Sequence, residues 1–270
     1  MNNTFDFRRF GKYYISDLRG VFNDNWLTVL LTALGGVMAY LFCGTVQLIA
    51  DGAWGSYGLA GRFITFLVLF AILYIIMPAK EYGYLTEKRR GSFYLLLPAS
   101  PFEKTLSMIL NVAILTPLAF LVIALAADAL LCLVDPGCGT TLASAIFTGS
   151  EVVDEFNDMA DYGTGLLRSC DLFWSGVMTV ITTSLTFLIG ALYFRKSKVA
   201  KTILVLIGLT LVFTLFTCLA VSVDADWLTD FAEEPDLSLS RIRTAGYVIN
   251  VVIILALCVW TCLRVKTLKH

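Results

Sequence analysis

The apolar positions of the chain form six long blocks, separated by segments that carry most of the charge. The blocks cover residues 26–50, 60–78, 106–134, 172–194, 202–223 and 245–263. A helix needs about 20 apolar residues to cross the hydrocarbon core of a bilayer, and backbone inside lipid must satisfy its own hydrogen bonds. The pattern therefore predicts an all-α membrane protein with six transmembrane helices in a single transmembrane domain. Pro117, inside the third block, predicts a kink or tilt there.

Composition agrees with this pattern. The chain has 270 residues, of which 58% are hydrophobic and 15% are charged, whereas a soluble domain is about 45–50% apolar and about 25% charged. The net charge of −1 gives no bias towards nucleic acid. Membrane lipid is the environment that this composition predicts, and nucleic acid is not an expected partner.

The distribution of basic residues predicts the orientation in the membrane. Most of them lie before the first block, in the second–third and fourth–fifth connections and in the tail: Arg8, Arg9, Lys12, Arg19, Lys80, Lys88, Arg89, Arg90, Lys104, Arg195, Lys196, Lys198, Lys201, Arg264, Lys266 and Lys269. Cytoplasmic connections are enriched in Lys and Arg. We therefore expect a multi-pass protein of the inner (cytoplasmic) membrane with both termini inside. The acidic segments 135–171 and 224–243 would then be outer loops.

The first 25 residues carry a second periodic pattern. Aromatic and aliphatic residues recur every three or four positions and form an apolar stripe that includes Phe7, Phe10, Tyr14 and Leu18. Basic residues occupy a different face, namely Arg8, Lys12 and Arg19. This spacing predicts an amphipathic helix in the cytoplasmic interface, with its bases at anionic headgroups. The alternative is a helix that docks on a protein partner.

The cytoplasmic connection 79–105 contains a helix-start signal. Ser100 is followed three residues later by Glu103, which is the spacing of a capping box, and Pro101 suits the first helical position. We therefore predict that Ser100 caps the third transmembrane helix. The apolar run from Gly91 to Leu97 is too short to span the membrane, and it predicts a short helix at the cytoplasmic boundary.

The same connection resembles that of a known family. Its pattern of an acid, Gly-Ser, an apolar run, Leu-Pro-Ala-Ser and a second acid is carried by Glu87, Gly91, Ser92, Leu96, Leu97, Pro98, Ala99, Ser100 and Glu103. It is similar to the second–third cytoplasmic loop of permease subunits of type-2 ABC exporters. The order of an amphipathic helix and six spans also matches that family. The whole chain further resembles permease-like membrane proteins of the Bacteroidetes type.

The resemblance implies a function and partners. The chain would be the permease subunit of an ATP-driven exporter, as a homodimer or paired with a sister permease, and a separate cytoplasmic ATP-binding subunit would dock on this coupling loop. The residues implied in coupling are Glu87, Gly91, Ser92, Leu95, Leu96, Pro98, Ser100 and Glu103. The alternatives are an ordinary loop between two membrane helices and a non-transporting accessory, assembly or sensor protein.

Groups for enzymatic chemistry are scarce. The single histidine is His270, which argues against histidine-dependent nucleophilic catalysis and histidine zinc sites. The sequence contains no phosphate-binding loop of the Gly-x-x-x-x-Gly-Lys-Ser/Thr type. We therefore expect no enzymatic activity, metal or cofactor in this chain, and any ATP hydrolysis would belong to a partner.

Polar residues inside the predicted spans are the remaining candidates. Asp128 is an ionisable residue within a span, about 9 Å from its outer end by helix rise; an interfacial carboxylate that reaches water is the favoured interpretation, and a functional group is the alternative. Thr183, Thr210 and Thr214 could line a polar path, although such hydroxyls usually bond between or along helices. Cys138 and Cys170, both in the first outer loop, predict a disulfide if the outside is oxidising.

Overall fold

The computed structural model describes residues 5–52, 54, 58–87, 91, 97, 99–148, 169–223 and 235–267. This part of the chain is helical, and six of its helical segments are long and apolar enough to cross a membrane. The predicted fold class, an all-α protein with six candidate spans, is therefore confirmed. The orientation of these helices in a membrane stays a prediction.

Helix α1 runs without interruption from Phe7 to Asp51. The Asp6 carboxylate caps its start by accepting a hydrogen bond from Arg8 N at 2.9 Å. Gly52 ends it in the left-handed conformation, with φ at 70° and its N–H bonded to Leu48 O, as is common where glycine follows a helix. The predicted division at residue 25 between an interfacial helix and the first span is thus wrong, because the two form one helix. Its position in the lipid interface stays a prediction.

The second and third spans follow. Helix α2 covers Leu59–Tyr82 and leads into a 3₁₀ turn, Gly83–Thr86. The third span consists of α3 (Pro101–Ile109), a π-helical turn (Leu110–Leu115) and α4 (Thr116–Val134). Proline has no N–H to donate to the preceding turn, and the irregularity that Pro117 predicts takes the form of this π-helical turn immediately before it.

The helix start predicted at Ser100 is confirmed. The Ser100 hydroxyl accepts a hydrogen bond from Glu103 N at 3.2 Å, and the Glu103 carboxylate accepts one from Ser100 N at 2.8 Å. Pro101 occupies the first turn. Both bonds of a capping box are therefore present, and they fix where the third span begins.

The remaining elements complete the bundle. A 3₁₀ turn (Pro136–Cys138) and a short helix α5 (Leu142–Thr148) follow the third span, and the other spans are α6 (Ser169–Tyr193), α7 (Lys198–Val223) and α8 (Pro235–Thr267). Helix α8 begins ten residues before the predicted sixth span, so it includes the second part of the predicted outer loop 224–243. Residues 149–168 and 224–234, which belong to the two predicted outer loops, lie outside the described residues.

Two apolar clusters hold the helices together. One joins α1, α2 and α4 around Phe66, Leu73 and Phe120; the other joins the end of α2, the π-helical turn, α6 and α8 around Tyr82, Met108 and Leu188. Helix α7 packs mainly along α6, with fewer contacts to α2. At the contact with α6 a Cβ on Gly190 would lie 1.9 Å from Thr202 Oγ1, so glycine permits the close approach of the two helices there.

Candidate functional site

The N-terminal third of α1 is fixed to the start of the third span by an ion pair. Arg9 Nη2 lies 2.6 Å from Glu103 Oε1, and Arg9 Nε donates to Glu103 Oε2 at 2.9 Å. Asp6 N also donates to Glu103 Oε1, at 3.0 Å. The Glu103 side chain is fully buried, whereas that of Arg9 is 30% exposed. The predicted coupling residue Glu103 thus both caps α3 and holds α1.

A second polar cluster lies deeper along the same helix. The Asp17 carboxylate accepts hydrogen bonds from the hydroxyls of Tyr82 and Ser107 and from Asn111 Nδ2. Asn111 Nδ2 also donates to Tyr82 Oη at 2.8 Å. These four residues, here called the Asp17 cluster, join α1, the end of α2 and the third span. The π-helical turn contains Asn111, in keeping with the frequent occurrence of such turns at functional sites.

The fourth–fifth connection reaches the same end of the bundle. Lys198 Nζ, at the start of α7, donates to Gly83 O in the turn after α2. The same ammonium lies 4.0 Å from Glu87 Oε1, whose side chain is half exposed. Three of the four segments predicted to be cytoplasmic therefore meet around the end of α2 and the start of the third span, namely the start of α1, the second–third connection and the start of α7.

The first part of α1, the end of α2 and the second–third connection line a partly open cavity of about 1050 Å³, at the upper end of the range of about 300–1,000 Å³ that small-molecule sites occupy. Its wall carries charges of both signs, from Arg9, Lys12 and Lys80 and from Asp17, Asp24 and Glu81. We call it the cytoplasmic cavity, after the side on which the charge pattern predicts it to lie.

Two side chains in the wall of this cavity hold buried oxygen atoms without a hydrogen-bond partner. Glu81 and Asn25 are each 4% exposed. Thr116 donates to Glu81 Oε1 at 2.9 Å, but Glu81 Oε2 and Asn25 Oδ1 have no partner. Buried polar atoms are normally satisfied, and an exception calls for an explanation such as an absent ion, water or ligand.

The predicted coupling loop is described in part. Glu87 is exposed, and its backbone oxygen accepts a hydrogen bond from Gly91 N at 2.9 Å; Gly91 itself is buried. Ser100 is buried, and it caps the start of α3. Ser92, Leu95, Leu96 and Pro98 lie outside the described residues, so the predicted short helix and its coupling role stay predictions.

The side chains of the predicted interface helix differ in their exposure. Phe7 is 83% exposed, and Arg8, Lys12 and Arg19 are exposed as well, whereas Phe10, Tyr14 and Leu18 are half-buried. The sequence analysis did not identify Asp17. The spacing could have indicated a buried polar contact, because Asp17 follows Tyr14 by three residues and precedes Val21 by four. This spacing places a carboxylate on the apolar stripe.

Asp128 does not reach water, so the favoured interpretation of this residue is wrong. Its side chain is 8% exposed and forms an ion pair with Arg62, Nη1 to Oδ1, at 2.8 Å. Asp128 Oδ2 also accepts a hydrogen bond from Leu142 N at 2.7 Å, and Arg62 Nη2 donates to Cys138 O and Thr140 O. The pair fixes the start of the first outer loop against α2 and α4.

The disulfide differs from the predicted one. Cys138 is bonded to Cys132 at the end of α4, so the predicted Cys138–Cys170 pairing is wrong. The 3₁₀ turn Pro136–Cys138 folds the chain back and brings the two sulfurs together, six residues apart in sequence. The side chain of Cys170 is outside the described part of the structure.

The three threonines predicted to line a polar path lie on α6 and α7, and the path itself stays a prediction. Thr210 and Thr214 are exposed on α7, and their hydroxyls donate to Ile207 O and Thr210 O of the same helix. Thr183, on α6, is half-buried. A hydrogen bond from the hydroxyl to the backbone of the same helix is a common arrangement for threonine, and Thr210 and Thr214 both adopt it.

Comparison with protein-family models, with curated proteins and with solved structures gives no match to this chain.

Proposed function

We propose that this chain is the membrane permease subunit of an ATP-driven exporter, energised by a separate cytoplasmic ATPase chain that docks on the connection between α2 and α3. The proposal includes an inner-membrane location, with both termini inside, and assembly with a second permease chain. Its starting point is the resemblance of residues 87–103 to the coupling loop of type-2 ABC exporter permeases.

The observation that carries the proposal is the double role of Glu103. The connection that would receive the ATPase ends at Ser100, and the next turn contains the carboxylate that binds Arg9 and Asp6 of α1. A displacement of this connection would therefore act on α1 and on the third span together. Lys198 adds α7 to the same unit through Gly83. Such mechanical linkage is what a permease needs if ATP binding elsewhere is to move its helices.

The direct test is co-purification with an ATPase encoded nearby, followed by measurement of ATP hydrolysis in the reconstituted complex. Leu95→Glu and Leu96→Glu should weaken ATPase binding and abolish the stimulation of hydrolysis by the permease. Leu133→Glu is the matched control, because Leu133 is an exposed leucine at the opposite end of the third span. Stable ATPase binding that both loop variants leave unchanged would refute the proposal.

The orientation is tested separately by cysteine labelling in intact cells, in a background without other cysteines. Lys196→Cys, at an exposed position between α6 and α7, should react only after the membrane is permeabilised. Thr140→Cys, exposed beyond the third span, should react with an impermeant maleimide from outside. The reverse pattern would place the coupling loop outside and exclude docking of a cytoplasmic ATPase.

The second candidate is a membrane accessory protein that does not transport. The ion pair and hydrogen bonds that hold residues 138–142, at the start of the predicted first outer loop, against α2 and α4 favour it, since a fixed surface there suits the binding of another protein. Failure to find any associated ATPase, together with capture of a protein by the outer loops, would decide for this function.

A further inference from the structure

We propose that the cytoplasmic cavity binds a phosphoethanolamine group, that is, a primary ammonium a few ångströms from a phosphate. The inference goes beyond the proposed function and does not depend on an ATPase, because every residue that carries it belongs to this chain. It rests on the unsatisfied oxygens of Glu81 and Asn25, on the mixed charge of the wall and on the depth of the cavity.

The ammonium requirement follows from the two buried oxygens. Glu81 Oε2 and Asn25 Oδ1 both accept hydrogen bonds and neither has a donor, while both side chains are almost fully buried in the cavity wall. A buried carboxylate without compensation is costly, and a ligand that donates N–H bonds and carries positive charge removes that cost. A primary ammonium supplies three donors and one charge in a small volume. No group of three or more His, Cys, Asp or Glu residues suited to a metal ion occurs in the described residues.

The phosphate requirement follows from the bases in the same wall. Lys12 and Lys80 line the cavity together with Asp24 and Glu81. The Lys80 ammonium also donates to Thr28 Oγ1. A ligand with positive charge alone would face the two ammonium groups, and an anionic ligand would face the carboxylates. A zwitterion that presents its ammonium to Glu81 and its phosphate to the lysines matches both signs, because lysine binds phosphate as a point charge.

The position of the cavity relative to the predicted spans indicates which molecules could present a phosphoethanolamine group to it. Every residue that lines it lies outside the six apolar blocks, before residue 26 or within 79–105. Asn25 immediately precedes the first block, and Glu81 follows the second by three residues. The cavity is therefore at the predicted level of the cytoplasmic lipid headgroups and is partly open. The same group has two sources, namely the headgroup of phosphatidylethanolamine and a soluble phosphoethanolamine ester.

The test uses the purified full-length protein in detergent and native mass spectrometry with phospholipids of identical short acyl chains. Binding is compared along the series phosphatidylethanolamine, its N-methyl and N,N-dimethyl derivatives, and phosphatidylcholine, with phosphatidylglycerol as the anionic member. Affinity should fall as each N–H is replaced, and phosphatidylglycerol should bind more weakly than phosphatidylethanolamine. Equal affinity along the series would overturn the proposal without any variant being needed.

The variants assign the effect to the cavity. Glu81→Gln removes the charge that a ligand ammonium would bond, so it should weaken phosphatidylethanolamine binding about tenfold or more and leave phosphatidylcholine binding unchanged. Asn25→Ala should act in the same direction. Asp51→Asn, which removes a carboxylate at the opposite end of α1, is the control and should change neither. Glu81→Gln protein that keeps the full preference for phosphatidylethanolamine would overturn the proposal.

A second experiment, with a soluble ligand, distinguishes the two sources of the phosphoethanolamine group. Glycerophosphoethanolamine, which has the group but no acyl chains, is titrated by calorimetry against the same protein. Binding as tight as that of the short-chain lipid would assign a soluble ligand, whereas binding of the lipid alone would assign the membrane headgroup. Absence of binding by both would overturn the proposal.

Discussion

Arg62 on α2 and Asp128 on α4 form a buried ion pair, with Nη1 and Oδ1 2.8 Å apart and both side chains less than a tenth exposed. Loss of one partner of such a pair leaves an uncompensated buried charge and costs about 3–5 kcal/mol. We therefore expect Arg62→Leu and Asp128→Leu each to lower the thermal unfolding midpoint strongly in detergent. Replacement of both should cost clearly less than the sum. Additive losses would show that the two side chains do not interact.

The attachment of the N-terminal part of α1 can be tested with two adjacent arginines. Arg9→Ala removes the ion-pair partner of Glu103, and the loss of its charge-assisted hydrogen bonds should increase amide hydrogen exchange across residues 10–20. Arg8→Ala is the control, because Arg8 is exposed. Equal exchange in the two variants would mean that the Arg9–Glu103 pair does not hold this segment.

Gly190 and Gly208 give a second matched pair. A Cβ at Gly190 would meet Thr202, at distances of 1.9–2.9 Å from its side-chain atoms, whereas a Cβ at Gly208 meets nothing within 4 Å. Overpacking of this kind costs about 1–3 kcal/mol. Gly190→Ala should therefore lower the unfolding midpoint, and Gly208→Ala should leave it nearly unchanged. A tolerated alanine at 190 would contradict the close contact between α6 and α7.

Peptide mapping without reductant should recover a link between Cys132 and Cys138. Chain-entropy estimates give about 2 kcal/mol for so short a loop, so Cys132→Ser and Cys138→Ser should each lower stability by a similar amount under oxidising conditions. Under reducing conditions the wild type should lose that advantage. A peptide linked through Cys138 and Cys170 would contradict this arrangement.

Asp135 should make stability depend on pH. Hydrogen bonds from the Tyr40 hydroxyl and from Gly137 N hold the pKa of this half-buried carboxyl below its ordinary value. Its contribution is thus fully present above the pKa of the unfolded chain, about 3.9, and is lost as pH falls through the lower folded pKa. The stability difference between wild type and Asp135→Asn should close over that window. A difference that is constant from neutral pH to below pH 3 would contradict the assignment.

The six helices and the start of the third span could be predicted from sequence because their signals are local. Apolar length decides whether a segment crosses lipid, and a capping box is complete within the four residues from Ser100 to Glu103. The Arg62–Asp128 pair could not be predicted in this way, since 66 residues separate its members and neither has a local signal for the other. Periodicity placed residues on faces of α1 without showing what each face contacts, and for that reason the partners of Asp17 were missed.

The uninterrupted course of α1 has a mechanical consequence. At a rise of about 1.5 Å per residue, its 45 residues give a rod of about 68 Å, more than twice the hydrocarbon thickness of about 30 Å. A rod of this kind has no intervening loop that could absorb a displacement. A movement of the end that bears Arg9 and Asp17 would therefore be transmitted along the backbone towards the end where Tyr40 and Gly52 lie.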